Sequence, residues 1–215
     1  MYSVTRINIG PVRTNCYILS SEKFCVVVDP GSDEPNEVQE IRDAIGDKKL
    51  LAILFTHAHY DHVLGAHNFD VPCYIHKDDR DFLEFQPEFI SKRINSDIIL
   101  PENIITFEED LEFEDIKLKV LHTPGHTWGS VCFLFDDIIL SGDTLFAGCM
   151  GRTDVGDKES AEALIEDPSF ENPEAYAIII ASLKILLELD DELKVYAGHG
   201  PYSVMKKEKE WIEKL

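Results

Sequence analysis

The sequence predicts an α/β fold in which sheets pack face to face and helices lie outside them. Three observations carry this. Runs rich in β-branched and aromatic residues, broken by Gly, Pro and Asp, fall into two groups along the chain. Each group is followed by a segment of helical length and period, which is how a sheet acquires a covering helix layer. No repeat, low-complexity stretch or linker divides residues 1–215, so one domain is expected.

The first group contains "SVTRINIG", "CYILS", "FCVVVDPG" and, after a helix around "NEVQEIRDAIG", the run "LLAILFTH". It reads as a meander feeding one βαβ-like crossover. "PCYIH" then adds a strand, followed by the acidic amphipathic stretch "DDRDFLEFQPEFISKRI". The second group is "NIITF", "LEFEDIKLKVLHT" and "VCFLFDDIILSGD"; within it "IKLKVLH" alternates apolar and polar side chains, as a half-buried strand does. From Asn172 to about Leu189 the pattern is helical, with Asn172 as N-cap and Pro173 at the first helical position. "LKVYAGHG" returns to strand and turn.

Composition excludes several classes of function. Forty-one acidic against 20 basic residues give a formal net charge of −21, and the short "MKKEKE" is the main basic cluster. Such a surface repels phosphate backbones, so no nucleic-acid partner is expected. No apolar run approaches the roughly 20 residues of a membrane span, so no membrane role is expected. The N-terminal segment lacks the basic-then-apolar pattern of a secretory signal, which makes a cytoplasmic location the expectation. The five cysteines, Cys16, Cys25, Cys73, Cys132 and Cys149, are scattered and never spaced C-x-x-C, against a disulfide framework or zinc ribbon.

The chemistry concentrates in "LFTHAHYDHVLG", where three of the eight histidines and an aspartate occupy six positions after an apolar run. A solvated helix start would use Asp61 as a cap but would not need three imidazoles. In an extended segment residues i and i+2 face the same side, so His57 and His59 reach one point. Asp61 and His62 follow where the chain turns toward a helix, and can serve a second ion nearby. Imidazoles with carboxylates suit zinc first, and also iron or manganese.

These residues form the H-x-H-x-D-H motif, and the chain thereby resembles the metallo-β-lactamase superfamily. Its distant partners follow in the family's order: "TPGHT" supplies His126, "LSGDTLF" supplies Asp143 and "AGHGP" supplies His199. The resemblance implies that His57, His59 and His126 hold one divalent ion, that Asp61, His62 and His199 hold another, and that Asp143 bridges them. It implies an αββα four-layer sandwich with the metal site at one edge between the two sheets. His67, His76 and His122 match no ligand position. Gly125, Gly142, Gly198 and Gly200 are expected to permit tight turns at strand ends. Asp29 in "VVDPG" is expected either to orient the ligand loop or simply to serve the turn before Pro30.

Two cations sharing a water make hydroxide available near pH 7 and polarise the oxygen it attacks, so hydrolysis is the expected chemistry. No G-x-S-x-G elbow competes with it. Asp61 is the candidate catalytic residue, positioning that water or moving its proton. "TPGHTWGSVCF", "SGDTLFAGCMGRTD" and "GHGP" resemble the glyoxalase II-like hydrolases, which cleave thioesters such as hydroxyacylglutathione. A small-molecule thioester is therefore the expected partner. Only 14 residues follow Pro201, so the helical C-terminal domain of the full-length type is expected to be absent. The tail "YSVMKKEKEWIEKL" and the insertion-like "ALIEDPSFENPEAYA" depart from the short relatives without touching a ligand. Arg152, the one cation of "GCMGRTD", is the candidate substrate-binding residue, with a bracing role for the loop as its alternative. The rival activities are a mononuclear-iron persulfide dioxygenase and a lactonase or lactamase. Oligomeric state is not encoded in any feature of the sequence.

Overall fold

Residues 2–94, 97–167 and 169–215 are described by a computed structural model. Pro168, within the insertion-like segment, lies outside the described residues.

The first sheet is built from β1 (Ser3–Ile9), β2 (Thr14–Ser20), β3 (Phe24–Val28), β4 (Lys49–Leu54), β5 (Cys73–His76) and β6 (Ile104–Phe107), side by side in chain order. Its opening hairpins are antiparallel and the rest is parallel. The helix α1 (Pro35–Ile45) makes the β3–α1–β4 crossover that the sequence anticipates. The second crossover, from β4 to β5, contains the single turn α2 (Tyr60–Val63), and the helix α3 (Arg80–Ile94), which keeps Pro87 inside it, makes the third, from β5 to β6.

The second sheet contains β7 (Leu111–Phe113), β8 (Ile116–His122), β9 (Val131–Phe135) and β10 (Ile138–Gly142). "LEFEDIKLKVLHT" and "VCFLFDDIILSGD", each read as a single strand-like stretch in the sequence, are each an antiparallel hairpin. The reversals fall at Glu114 (φ 55°) and Asp136 (φ 54°), left-handed residues whose twist suits a tight hairpin. A small ribbon, β11 (Leu145–Phe146) with β12 (Cys149–Met150), comes next, and then α4 (Lys158–Glu166) and α5 (Pro173–Leu186). The Asn172 side chain caps α5 as expected, accepting from Ala175 N. β13 (Lys194–Ala197) pairs parallel with β10, and β14 (Ser203–Val204) and α6 (Met205–Ile212) close the chain.

Strand alternation explains why so many strands read as continuously apolar. In β3, Val26 and Val28 face the core between the sheets, whereas Cys25 and Val27 face the core under α1 and α3. In β9 and β10, Phe133, Ile138 and Leu140 enter the central core while Cys132 and Ile139 pack under α5 and α6. Three cores separate four layers, giving the expected αββα sandwich. All five cysteines are free, and four are buried. Among the described residues no helix is long and apolar enough to cross a membrane.

Candidate metal centre

Every ligand anticipated from the sequence lies just beyond the C-terminal end of a strand. His57, His59, Asp61 and His62 follow β4, His126 follows β8, Asp143 follows β10 and His199 follows β13. The structure brings all seven together. Ligand atoms lie within 4.8 Å of one another in three overlapping groups: His57, His59 and His126; His57, His62 and Asp143; and Asp61, His62 and His199.

In the first group His126 Nε2 lies 2.8 Å from His59 Nδ1 and 3.2 Å from His57 Nε2. In the last, His199 Nε2 is 3.3 Å from His62 Nε2 and 3.2 Å from Asp61 Oδ2. Asp143 stands between them: Oδ1 is 3.5 Å from His62 Nε2, and Oδ2 is 3.5 Å from both His126 Nε2 and His199 Nε2.

The far sides of the rings fix which nitrogen points inward. His59 Nε2 donates to Val155 O at 2.7 Å and His126 Nδ1 to Arg152 O at 2.7 Å. His62 Nδ1 meets Asp29 Oδ2 at 2.9 Å, and His57 Nδ1 lies 3.0 Å from Thr56 Oγ1. Their lone-pair nitrogens therefore converge, which is the arrangement that holds a metal ligand in one tautomer and orientation.

Charge points the same way. Burial, reinforced by neighbouring imidazoles, drives His57 and His126 well below the ordinary histidine range and lowers His59 to about 4, so these rings are neutral at pH 7. Burial also opposes charge on His62, but Asp143, Asp61 and Asp29 overcome it and raise that ring to about 10. Burial raises Asp143 to about 6 against the pull of His62 and His199. Asp143 Oδ1 is buried without a hydrogen-bond partner among the described residues. Three neutral rings with inward lone pairs, the carboxylates and an orphaned carboxylate oxygen form a donor set suited to divalent cations, which His62 joins on releasing its proton.

The supporting residues explain the local geometry. Asp29 accepts from Thr56 N at 2.8 Å and Thr56 Oγ1 at 2.7 Å as well as facing His62, so it orients the ligand loop. Its φ of 54° precedes a proline, where an extended backbone is favoured. Such a cost persists only where surrounding bonds over-determine the conformation. Gly198 corrects the turn expectation: its φ is not left-handed, and the constraint is contact. A Cβ there would overlap Asp143 Oδ1 and approach His62 Cε1 to 2.8 Å. Gly125 (φ 126°), Gly142 (φ 49°) and Gly200 (φ 76°) do need positive φ.

Asp79 and Asn15 carry roles that sequence reasoning missed. Asp79, fully buried, accepts from Ala58 N at 2.8 Å, Gly129 N at 2.6 Å and Thr127 Oγ1 at 2.7 Å. It thereby ties the His57–His59 loop to the His126 loop. Asn15 donates to Ala197 O and Gly200 O and fixes the His199 loop. In sequence both are single polar residues without a spacing partner; the one available signal for Asn15 is its place in "TNCYIL".

Burial outweighs the three donors and raises Asp79 to about 6, against roughly 3.9 in an unfolded chain. The folded protein thus binds this proton more tightly than the unfolded chain. The resulting stabilisation is complete below about pH 4 and declines through about pH 6, by about 3 kcal/mol. Urea unfolding of metal-free protein between pH 4 and 7 is expected to show this decline, reduced by that amount in Asp79→Asn. Parallel curves for the two proteins would assign the decline elsewhere.

The remaining histidines are satisfied by the fold. His67 Nδ1 lies 2.9 Å from Leu64 O. His76 and His122 stack at 4.1 Å beside Asp78, yet His76 Nδ1 accepts from Asp78 N and His122 Nε2 donates to Trp128 O. Arg152 pairs through Nε and Nη2 with Asp154, an arrangement that braces the loop. It also lines the cavity of about 380 Å³ over the centre, together with His59, Asp61, Asp143 and His199.

This donor set on this sandwich defines a metallohydrolase class, and comparison with known proteins agrees. The profile of the metallo-β-lactamase superfamily matches residues 9–199, and the chain belongs to that superfamily, whose members are typically metal-dependent hydrolases. It is similar to the hydroxyacylglutathione hydrolase GloC of Haemophilus influenzae, with 31% identity over 220 residues covering 94% of each chain. Among solved structures, the BLEG-1 B3 metallo-β-lactamase superposes with a TM-score of 0.76 at 30% identity, covering 97% of both chains. TTHA1623 in a di-iron-bound form gives 0.73 at 30% identity, covering 95% of this chain and 96% of that one.

Proposed function

We propose that this metal-dependent hydrolase cleaves a thioester of a small thiol, hydroxyacylglutathione being the reference substrate. The observation that carries the hydrolytic reading is the convergence of seven ligands as two groups facing one carboxylate, Asp143. The thioester assignment is supported by the likeness to a hydroxyacylglutathione hydrolase along 94% of both chains. His57, His59 and His126 would hold one divalent cation, Asp61, His62 and His199 the other, and Asp143 both. Zinc is favoured by the imidazole-rich set, with iron and manganese compatible.

Bound cations would supply a nucleophilic water at neutral pH and polarise the scissile carbonyl. The chain's own residues do the rest. The carbonyls of Val155 and Arg152 and the carboxylate of Asp29 hold three rings in place. Asp61 turns Oδ2 to His199 and to Thr14 Oγ1, 3.2 Å away, and against the effect of burial the neighbouring imidazoles hold its carboxyl well below the ordinary range, so it stays ionised and would position the attacking water. A thiolate leaves without a strong acid, so no further proton donor is needed at that step.

The test is turnover of hydroxyacylglutathione by zinc- and by iron-loaded protein, read as release of free thiol. Oxygen uptake with glutathione persulfide, together with no hydrolysis of hydroxyacylglutathione by the same protein, would move the chain to the dioxygenase reading. Cleavage of a β-lactam alone would favour the activity named for BLEG-1.

Arg152 gives a finer prediction. With Nε and Nη2 turned to Asp154, Nη1 remains to meet a substrate carboxylate in the shared cavity. Arg152→Met is then expected to raise KM for a charged thioester about tenfold to a hundredfold and to leave an uncharged analogue nearly unchanged, corresponding to roughly 1–3 kcal/mol. Equal losses for both, or a lower melting temperature with unchanged KM, would leave Arg152 the bracing role alone.

A further inference from the structure

Gln86 is the polar side chain whose placement the metal centre does not explain. It sits on α3, 1% exposed, and both polar atoms of its carboxamide, Nε2 and Oε1, are buried without a hydrogen-bond partner among the described residues. A buried amide left unpaired is disfavoured, and native proteins avoid it unless something else is satisfied by it. Helix formation does not require it either: leucine or methionine would serve this buried helical position without the desolvation cost.

The position of Gln86 indicates what it is for. It lines the same cavity as His59, His126, Asp143 and His199. One turn further along α3, Ile90 lines it too, and Leu164 of α4 and Val155 add apolar surface. The carboxamide is therefore a donor and an acceptor within the apolar wall of the cavity beside the ligand cluster, shielded from water. A carboxylate would engage Nε2 and leave Oε1 facing negative charge; an ammonium would do the reverse. An uncharged group presenting both a donor and an acceptor satisfies both atoms, and an amide is such a group.

We propose that Gln86 is the specificity residue of this site, and that it recognises an amide in the substrate's thiol portion. This rests on the thioester reading and sharpens it: the preferred substrates are thioesters whose thiol carries an amide close to sulfur, and simple alkyl thioesters are poor. Such recognition is selective because an analogue lacking the amide leaves the carboxamide buried and unpaired in the complex. Gln86 contacts the substrate away from the scissile bond, so its effect appears in KM and in ligand affinity.

The test compares wild-type protein with Gln86→Met, which keeps length and helix propensity and removes both polar atoms. Two acetyl thioesters are used, one of N-acetylcysteamine and one of 1-pentanethiol, which matches it in chain length but has methylenes in place of the amide. The metal-loaded variant is expected to raise KM for the amide-bearing thioester about tenfold to a hundredfold, with the pentyl thioester unchanged or improved. Calorimetry with S-methyl-N-acetylcysteamine, a thioether that cannot be hydrolysed, should show a matching loss of affinity. Without ligand, the melting temperature of the variant should rise by about 2–4 °C, because the unpaired amide is gone. Equal changes in KM for both thioesters, unchanged thioether affinity, or a fall in melting temperature would each make Gln86 a structural residue and overturn the proposal. If neither protein cleaves any thioester yet the variant still loses thioether affinity, the hydrolytic reading fails and the amide recognition stands.

Discussion

Replacing Asp143 by Ala should empty both metal positions together and lower turnover about a thousandfold, the effect of losing several kcal/mol of charge stabilisation. The reason is geometric. Its two oxygens sit 3.5 Å from His62 on one side and from His126 and His199 on the other, so neither group keeps its full donor set without it. Global unfolding does not account for the loss. Asp143 Oδ1 contributes no hydrogen bond to the fold, and burial makes the charged carboxylate unfavourable. Metal-free Asp143→Ala is therefore expected to keep a cooperative melt, lowered only by the support that the charged His62 ring loses. Elemental analysis showing two full equivalents of metal in the variant would show that Asp143 does not bridge.

Asp29→Ala is expected to combine a stability loss with a site-selective metal defect. Three donors converge on this buried carboxylate: Thr56 N, Thr56 Oγ1 and His62 Nδ1. Removing it leaves them unpaired in the interior, which costs about 3 kcal/mol. Release of His62 should weaken metal binding at the Asp61–His62–His199 group about tenfold to a hundredfold. The His57–His59–His126 group is held by Thr56, Val155 and Arg152 and should be affected less. Competition with a graded chelator, followed by two resolved release steps, measures this; equal weakening of both steps would deny Asp29 its selective role.

The strand framework was legible because its signals are local. "FCVVVDPG" and "LLAILFTH" announce strands by composition, and the seven candidate ligands announce themselves by identity and order. The hairpin reversals at Glu114 and Asp136 were hidden, since neither is Gly or Asn and each lies between two apolar runs. α6 was hidden in a charged tail. Its anchoring residue, Glu208, is fully buried and accepts from Trp211 Nε1 and Ser203 Oγ nearby and from Gly148 N, 60 positions away, which only the fold brings near. Asp79 and Gln86 were invisible for the same reason: each lies in a charged, amphipathic stretch where an acid or an amide reads as solvated surface. What makes them matter is complete burial, which depends on contacts across as many as 50 positions of sequence.

The loop around residues 151–155 meets the metal ligands through its main chain. Arg152 and Val155 steer His126 and His59 with their carbonyls, while the Arg152 side chain turns to Asp154 at a residue that lines the cavity. Every amino acid carries the same carbonyl, so drift at these two positions can reshape what the cavity admits without disturbing how the ions are held. Selection can thus act on substrate choice and on metal retention as nearly independent traits, and descendants of one ancestor can exchange substrates while inheriting an unchanged reactive centre.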